Sequence, residues 1–192
     1  MAINIVKNNF KEAQRLLEEF INDPKSWGSI EKAGGELVKA FQQGNKVIAC
    51  GNGGSMADAI HFCEELTSNF RRKRKGLPAI AVSDPGYLSC ASNDFGFENV
   101  FSRYVDTLGQ KGDILFAIST SGNSENILRA VNQAKQKGMK VVALTGKGGG
   151  KLSTLCDFEV RAPYSDYSDR TQEIHIKIIH SLIHYIELSM KL

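Results

Sequence analysis

Residues 46–55 read KVIACGNGGS, a short apolar run that passes directly into glycines and a serine. The run is too short for a helix, and its unbroken apolar character is typical of a strand buried on both faces of a sheet. Residues 113–124 read DILFAISTSGNS and repeat the arrangement. Apolar residues recur at helical spacing after both runs. Two such strand-to-helix junctions predict a parallel sheet with helices packed on its faces.

The rest of the chain alternates in the same way. This alternation favours an α/β fold, here a three-layer αβα sandwich around a five-stranded parallel sheet. Strands are predicted at 46–50, 78–82, 113–119, 140–144 and 158–161, and helices at 55–68, 87–90, 95–108, 124–137 and 172–188.

Two N-terminal helices precede the first strand, over residues 1–22 and from about residue 29 to Gly44, with a break at Pro24. The sheet does not need them, and such additions usually pack against neighbouring subunits, so we expect an oligomer. No linker or repeat divides the sequence. We therefore predict one domain over 1–192, with 1–43 as a helical extension and 44–192 as the α/β core.

The composition favours a globular protein without a nucleic-acid or membrane partner. The net charge is +3, from 24 basic and 21 acidic residues, which is too small to indicate either partner. No apolar run approaches the roughly 18 residues of a membrane span, and the N-terminus lacks the pattern of a secretion signal. The four cysteines form no CxxC pair, as is typical of free thiols in a reducing compartment. We expect a cytoplasmic protein.

The two strand-to-helix junctions, 51–55 and 119–124, share a chemistry suited to an anion. Both place small, hydroxyl-bearing residues at the start of a helix. Free backbone N–H groups and the helix dipole favour an anion such as phosphate there, although the same residues also serve as plain helix caps. Neither junction is a Walker motif, and Met56 stands where a dinucleotide fingerprint needs Gly or Ala. We therefore predict a phosphate site rather than a nucleotide site.

The acid–base candidates lie on two helices. His61 and Glu65 are four residues apart on the helix after the first junction, which puts them on one face. They could share a metal ion, act as an acid–base pair or belong to a solvated helix face. On the last helix, His175 is interpreted as a packed residue and His184 as a surface residue. Gln172 and His180 are two turns apart, roughly 12 Å along the helix axis.

The run Arg-Arg-Lys-Arg-Lys at residues 71–75 is the strongest charge cluster in the sequence. It precedes a glycine and a proline, so we interpret it as a solvated loop rather than a nucleic-acid site. Steering of an anionic substrate is a secondary role for such a loop.

Six segments of the sequence are distinctive when taken together: CGNGGS at 50–55, HFCEELT at 61–67, NDFGF at 93–97, STSGNS at 119–124, LTG at 144–146 and DRTQEIH at 169–175. They resemble the corresponding segments of bacterial phosphoheptose isomerases, which belong to the sugar-isomerase (SIS) superfamily. The resemblance spans nearly the whole chain, and it is most specific in the pair His61 and Glu65 and the pair Gln172 and His180. It implies the SIS fold for the sandwich described above.

The resemblance implies an isomerase that converts sedoheptulose 7-phosphate to D-glycero-D-manno-heptose 7-phosphate through an enediol. Glu65 would be the base and His180 the acid. One zinc ion per subunit would be held by His61, Glu65, Gln172 and His180. The implied substrate contacts are Asn52, Gly53, Gly54, Ser55, Glu65, Asn93, Asp94, Ser119, Thr120, Ser121, Ser124, Asp169 and Gln172.

The resemblance also implies a homotetramer with active sites between subunits, acting at the first step of ADP-heptose and lipopolysaccharide core synthesis. The two-turn offset between Gln172 and His180 suggests that one catalytic element comes from a neighbouring subunit. Family members often carry Arg where this chain has Asn69, and Arg71 is close enough in sequence to substitute.

Two other functions are open on the sequence. One is a non-enzymatic SIS protein that binds the bacterial replication initiator, and the other is an isomerase of a different phosphosugar. A non-enzymatic role does not require Glu65 and His180 together with Gln172, so their joint presence favours an enzyme. The phosphate loops do not read the length of the sugar, so the second alternative needs a test with several substrates.

Overall fold

The computed structural model describes residues 2–192 and contains one five-stranded sheet. Every neighbouring pair of strands is parallel, and the strand order is β2-β1-β3-β4-β5. The predicted strands and the αβα sandwich are confirmed. The strands are β1 Val47–Cys50, β2 Ala79–Ala81, β3 Ile114–Ser119, β4 Lys140–Thr145 and β5 Phe158–Arg161.

Eight α-helices surround the sheet within the described residues. A 3-10 turn at Phe97–Asn99 separates the fourth from the fifth. Met1, which the predicted first helix included, lies outside the described residues. The helices are α1 Ala2–Asn22, α2 Pro24–Gln42, α3 Gly54–Thr67, α4 Pro85–Phe95, α5 Val100–Leu108, α6 Glu125–Gln136, α7 Leu152–Leu155 and α8 Ser168–Met190.

The core lies in two layers, one on each face of the sheet. Successive side chains of a strand point to opposite faces, so Phe116 packs beneath α1, α2, α3 and α8, while Leu115 and Ala117 pack beneath α4, α5, α6 and α7. All six residues of β3 are buried. Burial on both faces explains why the central strands are continuous apolar runs.

The second helix begins earlier than predicted. It starts at Pro24, where the sequence pattern indicated a break and a start near residue 29. Proline is well tolerated in the first turn of a helix, because its missing N–H would have no partner there. Asp23 caps the helix by accepting a hydrogen bond of 3.0 Å from the backbone N–H of Lys25.

The strand order creates a crevice at the carboxyl ends of the central strands β1 and β3. The chain leaves β1 toward β2 on one side and returns to β3 on the other side of β1. The loops that follow β1 and β3 therefore diverge, and ligands of open α/β sheets bind at such a switch point. Both predicted anion loops lie there.

The N-terminal helix α1 has a buried face and an uncovered apolar face. Leu16 and Phe20 are buried against the core, whereas Val6 and Phe10 are exposed. None of the helices over residues 2–192 has the length and apolar character needed to cross a membrane.

Candidate active site

The crevice between the loops after β1 and β3 is a cavity of about 300 Å³. Its wall is mostly backbone, hydroxyl and amide groups, as expected for a site that binds an anion without a fixed cation. Ile118 and Ser168 line it although the sequence did not single them out. The lining residues are Asn52, Gly53, Gly54, Ser55, Ile118, Ser119, Thr120, Ser124, Ser168 and Gln172.

Helices α3 and α6 begin at the crevice, and neither has a side-chain cap on its first turn. Gly53 precedes α3 with a φ of 54°, a left-handed conformation that favours glycine. Ser124 precedes α6, and its hydroxyl makes no capping hydrogen bond. The Ser124 Oγ lies 3.3 Å from the Ser119 Oγ, which also accepts a hydrogen bond of 3.1 Å from the Gly122 N–H. Hydroxyls and helix N–H groups therefore remain available to an anion.

The two loops are joined by a pair of amide side chains. Asn52 and Asn126 each donate a hydrogen bond of 2.9 Å to the other's carbonyl oxygen. Asn126 lies in the first turn of α6 and is buried. Sequence analysis missed Asn126, because a single asparagine within a helix gives no pattern that identifies its partner.

Gln172 lies at the same crevice, on α8. A Cβ atom added to Gly54 would come within 2.6 Å of both the Nε2 and the Oε1 of Gln172. The absence of a side chain at Gly54 thus lets the glutamine amide lie directly against the start of α3.

A second cluster consists of His61, Glu65 and His180. The Nε2 of His61 lies 3.4 Å from Glu65 Oε1 and 3.5 Å from His180 Nε2. One ligand atom from each residue falls within 4.8 Å of the others. Two imidazoles and one carboxylate at this spacing form a possible metal-binding triad.

The pKa of His180 is lowered, first by burial and then by the neighbouring His61, while Glu65 opposes the shift. The ring also stacks on Phe70, with centroids 5.6 Å apart. A lowered pKa favours the neutral imidazole near pH 7, which is the form that binds a metal or accepts a proton.

The crevice and the triad lie along the same pair of helices. Gln172 meets Gly54 at one point, and His180 meets His61 further along both chains. Helices α3 and α8 therefore run in the same direction. Seven residues separate the contacts on α3 and eight separate them on α8, so the two sites are roughly 10 to 12 Å apart along the helices.

Gln172 lines the crevice but lies apart from the triad, and three other predicted site residues belong to neither. The amide of Gln172 lies at the crevice, so its role as a fourth metal ligand stays a prediction. Asn93 and Asp94 are exposed at the end of α4 and bond to each other over 2.9 Å. Asp169 is exposed beside Arg170. Neither Asn93, Asp94 nor Asp169 lines the crevice, and their contacts with substrate also stay predictions.

Ser121 has a local hydrogen bond within its loop. Its Oγ accepts a bond of 3.2 Å from the Asn123 N–H, and Ser121 does not line the crevice. Its contact with substrate remains a prediction as well.

Two histidines of α8 lie apart from the triad. His175 is fully buried with its Nε2 2.8 Å from the Thr145 carbonyl oxygen, which confirms that it is packed in the core. Burial lowers its pKa to about 4. His184 is half-buried rather than on the surface, and it lies 3.4 Å from the Arg71 Nη1. The guanidinium of Arg71 also lies over the ring of Phe70.

Sequence analysis also missed Asp58, one turn before His61 on α3. Its Oδ2 is buried and has no hydrogen-bond partner among the described residues. Burial raises its pKa to about 6, and His61 opposes the shift. The spacing of Asp58, His61 and Glu65 on one helical face was the signal that could have identified it.

The basic run at 71–75 is a solvated loop with one exception. Arg71, Arg72, Lys73 and Lys75 are exposed as predicted, but the side chain of Arg74 is only 2% exposed. The prediction was wrong for Arg74 because a sequence run does not show that a carboxylate on a distant helix lies next to one of its members.

Comparisons with known proteins identify the family of this chain. The SIS domain family matches residues 9–146. The chain is 56% identical to the phosphoheptose isomerase of Glaesserella parasuis over 94% of both chains, and 54% identical to that of Vibrio cholerae over 97% of this chain and 98% of the other. It also resembles the solved structure of the phosphoheptose isomerase from Neisseria gonorrhoeae, at 36% identity and a TM-score of 0.91, over 97% of this chain and 99% of that chain.

Sequence identity above one half and a shared fold over nearly the full length do not arise between unrelated enzymes. The chain therefore belongs to the phosphoheptose isomerase family of SIS-domain enzymes.

Proposed function

We propose that this protein interconverts sedoheptulose 7-phosphate and D-glycero-D-manno-heptose 7-phosphate through an enediol. The observation that carries the proposal is the distance between the anion crevice and the triad of His61, Glu65 and His180. An extended chain advances roughly 1.2 Å per single bond. Seven bonds from C2 of a heptulose to the phosphorus at C7 then span roughly 8 Å, which is of the same order as the roughly 10 to 12 Å between the two sites along the helices. A pentulose 5-phosphate has two bonds fewer, so it would span roughly 6 Å and leave a wider gap.

The crevice would hold the phosphate and leave the carbonyl end at the triad. Hydroxyls of Ser119, Thr120 and Ser124 line the crevice, and two helix N-termini open on it. Binding energy from the phosphate would then position C1 and C2 for proton transfer.

Isomerisation requires that a proton leave C1 and return at C2, while the hydroxyl proton at O1 passes to O2. The carboxylate of Glu65 would carry the carbon-bound proton, since it is the acceptor within the triad. His180 would exchange a proton with the oxygens as the acid. An imidazole has its unperturbed pKa close to neutral pH, which suits it to proton exchange with the substrate oxygens.

The donor set fits one zinc ion per subunit. His61, Glu65 and His180 supply two nitrogens and one oxygen, the pattern of catalytic zinc sites with an open position. Zinc would stabilise negative charge that develops on the substrate oxygens. Gln172 is proposed as a fourth ligand that comes from a neighbouring subunit, because within one chain its amide lies at Gly54, roughly 10 to 12 Å along the helices from the triad.

The active form is proposed to be a homotetramer with sites at subunit interfaces. The exposed apolar side chains of α1, including Val6 and Phe10, support burial against another copy. Asn93 and Asp94 would reach the crevice of a neighbouring subunit. We further propose that the chain acts in the cytoplasm as one SIS domain over 1–192, at the first step of ADP-heptose and lipopolysaccharide core synthesis.

A substrate panel tests the reaction. Sedoheptulose 7-phosphate, a pentulose 5-phosphate and a hexulose 6-phosphate are each incubated with the zinc-loaded protein, and aldose products are measured by chromatography. Turnover of the heptulose far above the others is expected. Glu65→Gln should nearly abolish turnover and leave binding of the sugar phosphate detectable, while Glu31→Gln on the exposed side of α2 serves as control. Preference for a shorter sugar would overturn the assignment of substrate, and binding of the replication initiator without any turnover would favour the non-enzymatic alternative.

A further inference from the structure

Arg74 is the one member of the basic run whose side chain is buried. Its Nε donates a hydrogen bond of 2.7 Å to Glu187 Oε1 on α8, and the side chains are 2% and 6% exposed. Removing either the buried guanidinium or the buried carboxylate would leave the other charge unpaired in the interior, which strongly destabilises a fold. The ion pair fixes the position of the forked guanidinium group of Arg74 beneath the loop.

The two terminal nitrogens of the Arg74 guanidinium reach the C-terminal end of helix α3. The Nη2 of Arg74 donates 2.8 Å to the backbone oxygen of Glu65, and the Nη1 donates 2.9 Å to that of Leu66. The last carbonyls of a helix have no partner within the helix, and their negative dipole favours a cation. Helix α3 has no basic residue of its own in the last turn, so Arg74 supplies the charge from the following loop.

We propose that Arg74 is a positioning residue for the candidate base Glu65. The residue whose carbonyl it binds is the one whose carboxylate lies 3.4 Å from His61. The partner Glu187 lies two turns beyond His180 on α8. Arg74 therefore ties together the two helices that carry all three members of the triad, at the end where the triad lies. It does not touch the crevice, which is at the opposite end of α3.

Because Arg74 contacts the triad end of α3 and not the crevice, its effect on the position of Glu65 can be distinguished experimentally from an effect on the stability of the whole fold. This inference rests on the proposed function for its catalytic readout, but the binding of zinc and of inorganic phosphate can be measured without turnover. A loss of folded protein lowers every readout together. A shift of Glu65 alone lowers kcat and zinc affinity and leaves the distant phosphate site intact.

The test compares Arg74→Lys with Arg72→Lys, an exposed neighbour in the same loop. Lysine keeps the charge beside Glu187 but loses the planar fork that reaches two carbonyls at once. The expected result for Arg74→Lys is a fall in kcat of roughly 10- to 100-fold, because small displacements of reacting groups have effects of that size. Zinc should bind more weakly, and inorganic phosphate should bind within about twofold of the parent. Arg72→Lys should match the parent in all three.

A second variant keeps the test informative if Arg74→Lys folds poorly. Glu187→Asp retains the ion pair but draws the fork away from α3, so kcat and zinc affinity should again fall while phosphate affinity holds. Parent-like kcat and zinc affinity in a folded Arg74→Lys protein would overturn the inference. A loss of phosphate affinity as large as the loss of zinc affinity in that variant would overturn it as well. If the parent protein itself turns over no phosphosugar, the proposed function fails, and zinc affinity alone decides the role of Arg74.

Discussion

Asn52 and Asn126 exchange two hydrogen bonds of 2.9 Å across the point where the strand order of the sheet reverses. One residue belongs to the loop after β1 and the other to the first turn of α6. The two anion loops are therefore held as one unit, although they are 74 residues apart in sequence.

Asn126→Asp should weaken the binding of the phosphate group. The carboxylate has the same size but cannot donate to Asn52, and it brings negative charge next to an anion site. A buried polar group left unpaired costs roughly 1 to 3 kcal/mol, so we expect KM and the Kd of inorganic phosphate to rise about tenfold or more. Asn132→Asp, on the exposed side of the same helix, is the control. Equal phosphate affinity in the two variants would count against the pairing.

Gly54→Ala should obstruct the crevice. The new methyl group would lie 2.6 Å from the amide atoms of Gln172, so the glutamine must move. We expect KM for the sugar phosphate to rise about tenfold, the scale of roughly 1.4 kcal/mol of lost binding. Gly35→Ala is the matched control, because a Cβ at Gly35 meets no atom within 4 Å. Steady-state kinetics of both variants would decide, and an unchanged KM in Gly54→Ala would show that Gln172 is free to move.

Zinc binding should depend on the triad and not on other histidines of α8. His61→Asn removes one of three ligands. Loss of a residue that only hydrogen-bonds a metal ligand lowers metal affinity roughly 10- to 100-fold, so loss of a ligand itself should lower zinc affinity by more than that. Isothermal titration should give one zinc per chain for the parent and for the His184→Gln control. Full-affinity zinc binding by His61→Asn would place the metal elsewhere.

The stability of the fold should decrease in mild acid because of His175. Its pKa is about 4 in the folded chain and about 6.5 when unfolded. Between these values the unfolded state binds the proton more readily, so stability is full above about pH 6.5 and is lost as the pH falls toward 4. At about 1.4 kcal/mol per pKa unit, the loss approaches about 3 kcal/mol.

Urea unfolding between pH 7 and 4 measures this decrease. The slope of the free energy of unfolding against pH should be smaller in His175→Gln and unchanged in His184→Gln. An identical slope in the parent and in His175→Gln would exclude His175 as the source.

Most of the fold was predictable from local sequence pattern. Residues 113–119 were predicted as a buried strand because the six side chains after Asp113 are apolar or small, and β3 occupies Ile114–Ser119 with both faces covered. The predicted start of α2 was wrong, because a proline such as Pro24 can begin a helix as readily as it can interrupt one. The four-residue helix α7 was not predicted, since one turn carries no periodic signal.

The candidate site was predictable where chemistry follows the spacing along one helix. His61 and Glu65 were identified in that way, and the family resemblance added His180. Asn126 and Arg74 were not identified, because their partners Asn52 and Glu187 are 74 and 113 residues away. A contact of that kind is created by the packing of the sheet and the helices, and a single sequence does not display it.

The most direct test of the proposed reaction follows sedoheptulose 7-phosphate by NMR in D2O with the zinc-loaded protein. The account predicts an aldose heptose 7-phosphate that carries deuterium at C2, since a proton held on Glu65 exchanges with solvent during an enediol mechanism. Treatment with a chelator should stop the reaction, and added zinc should restore it. The absence of any aldose product from folded, zinc-loaded protein would contradict the account.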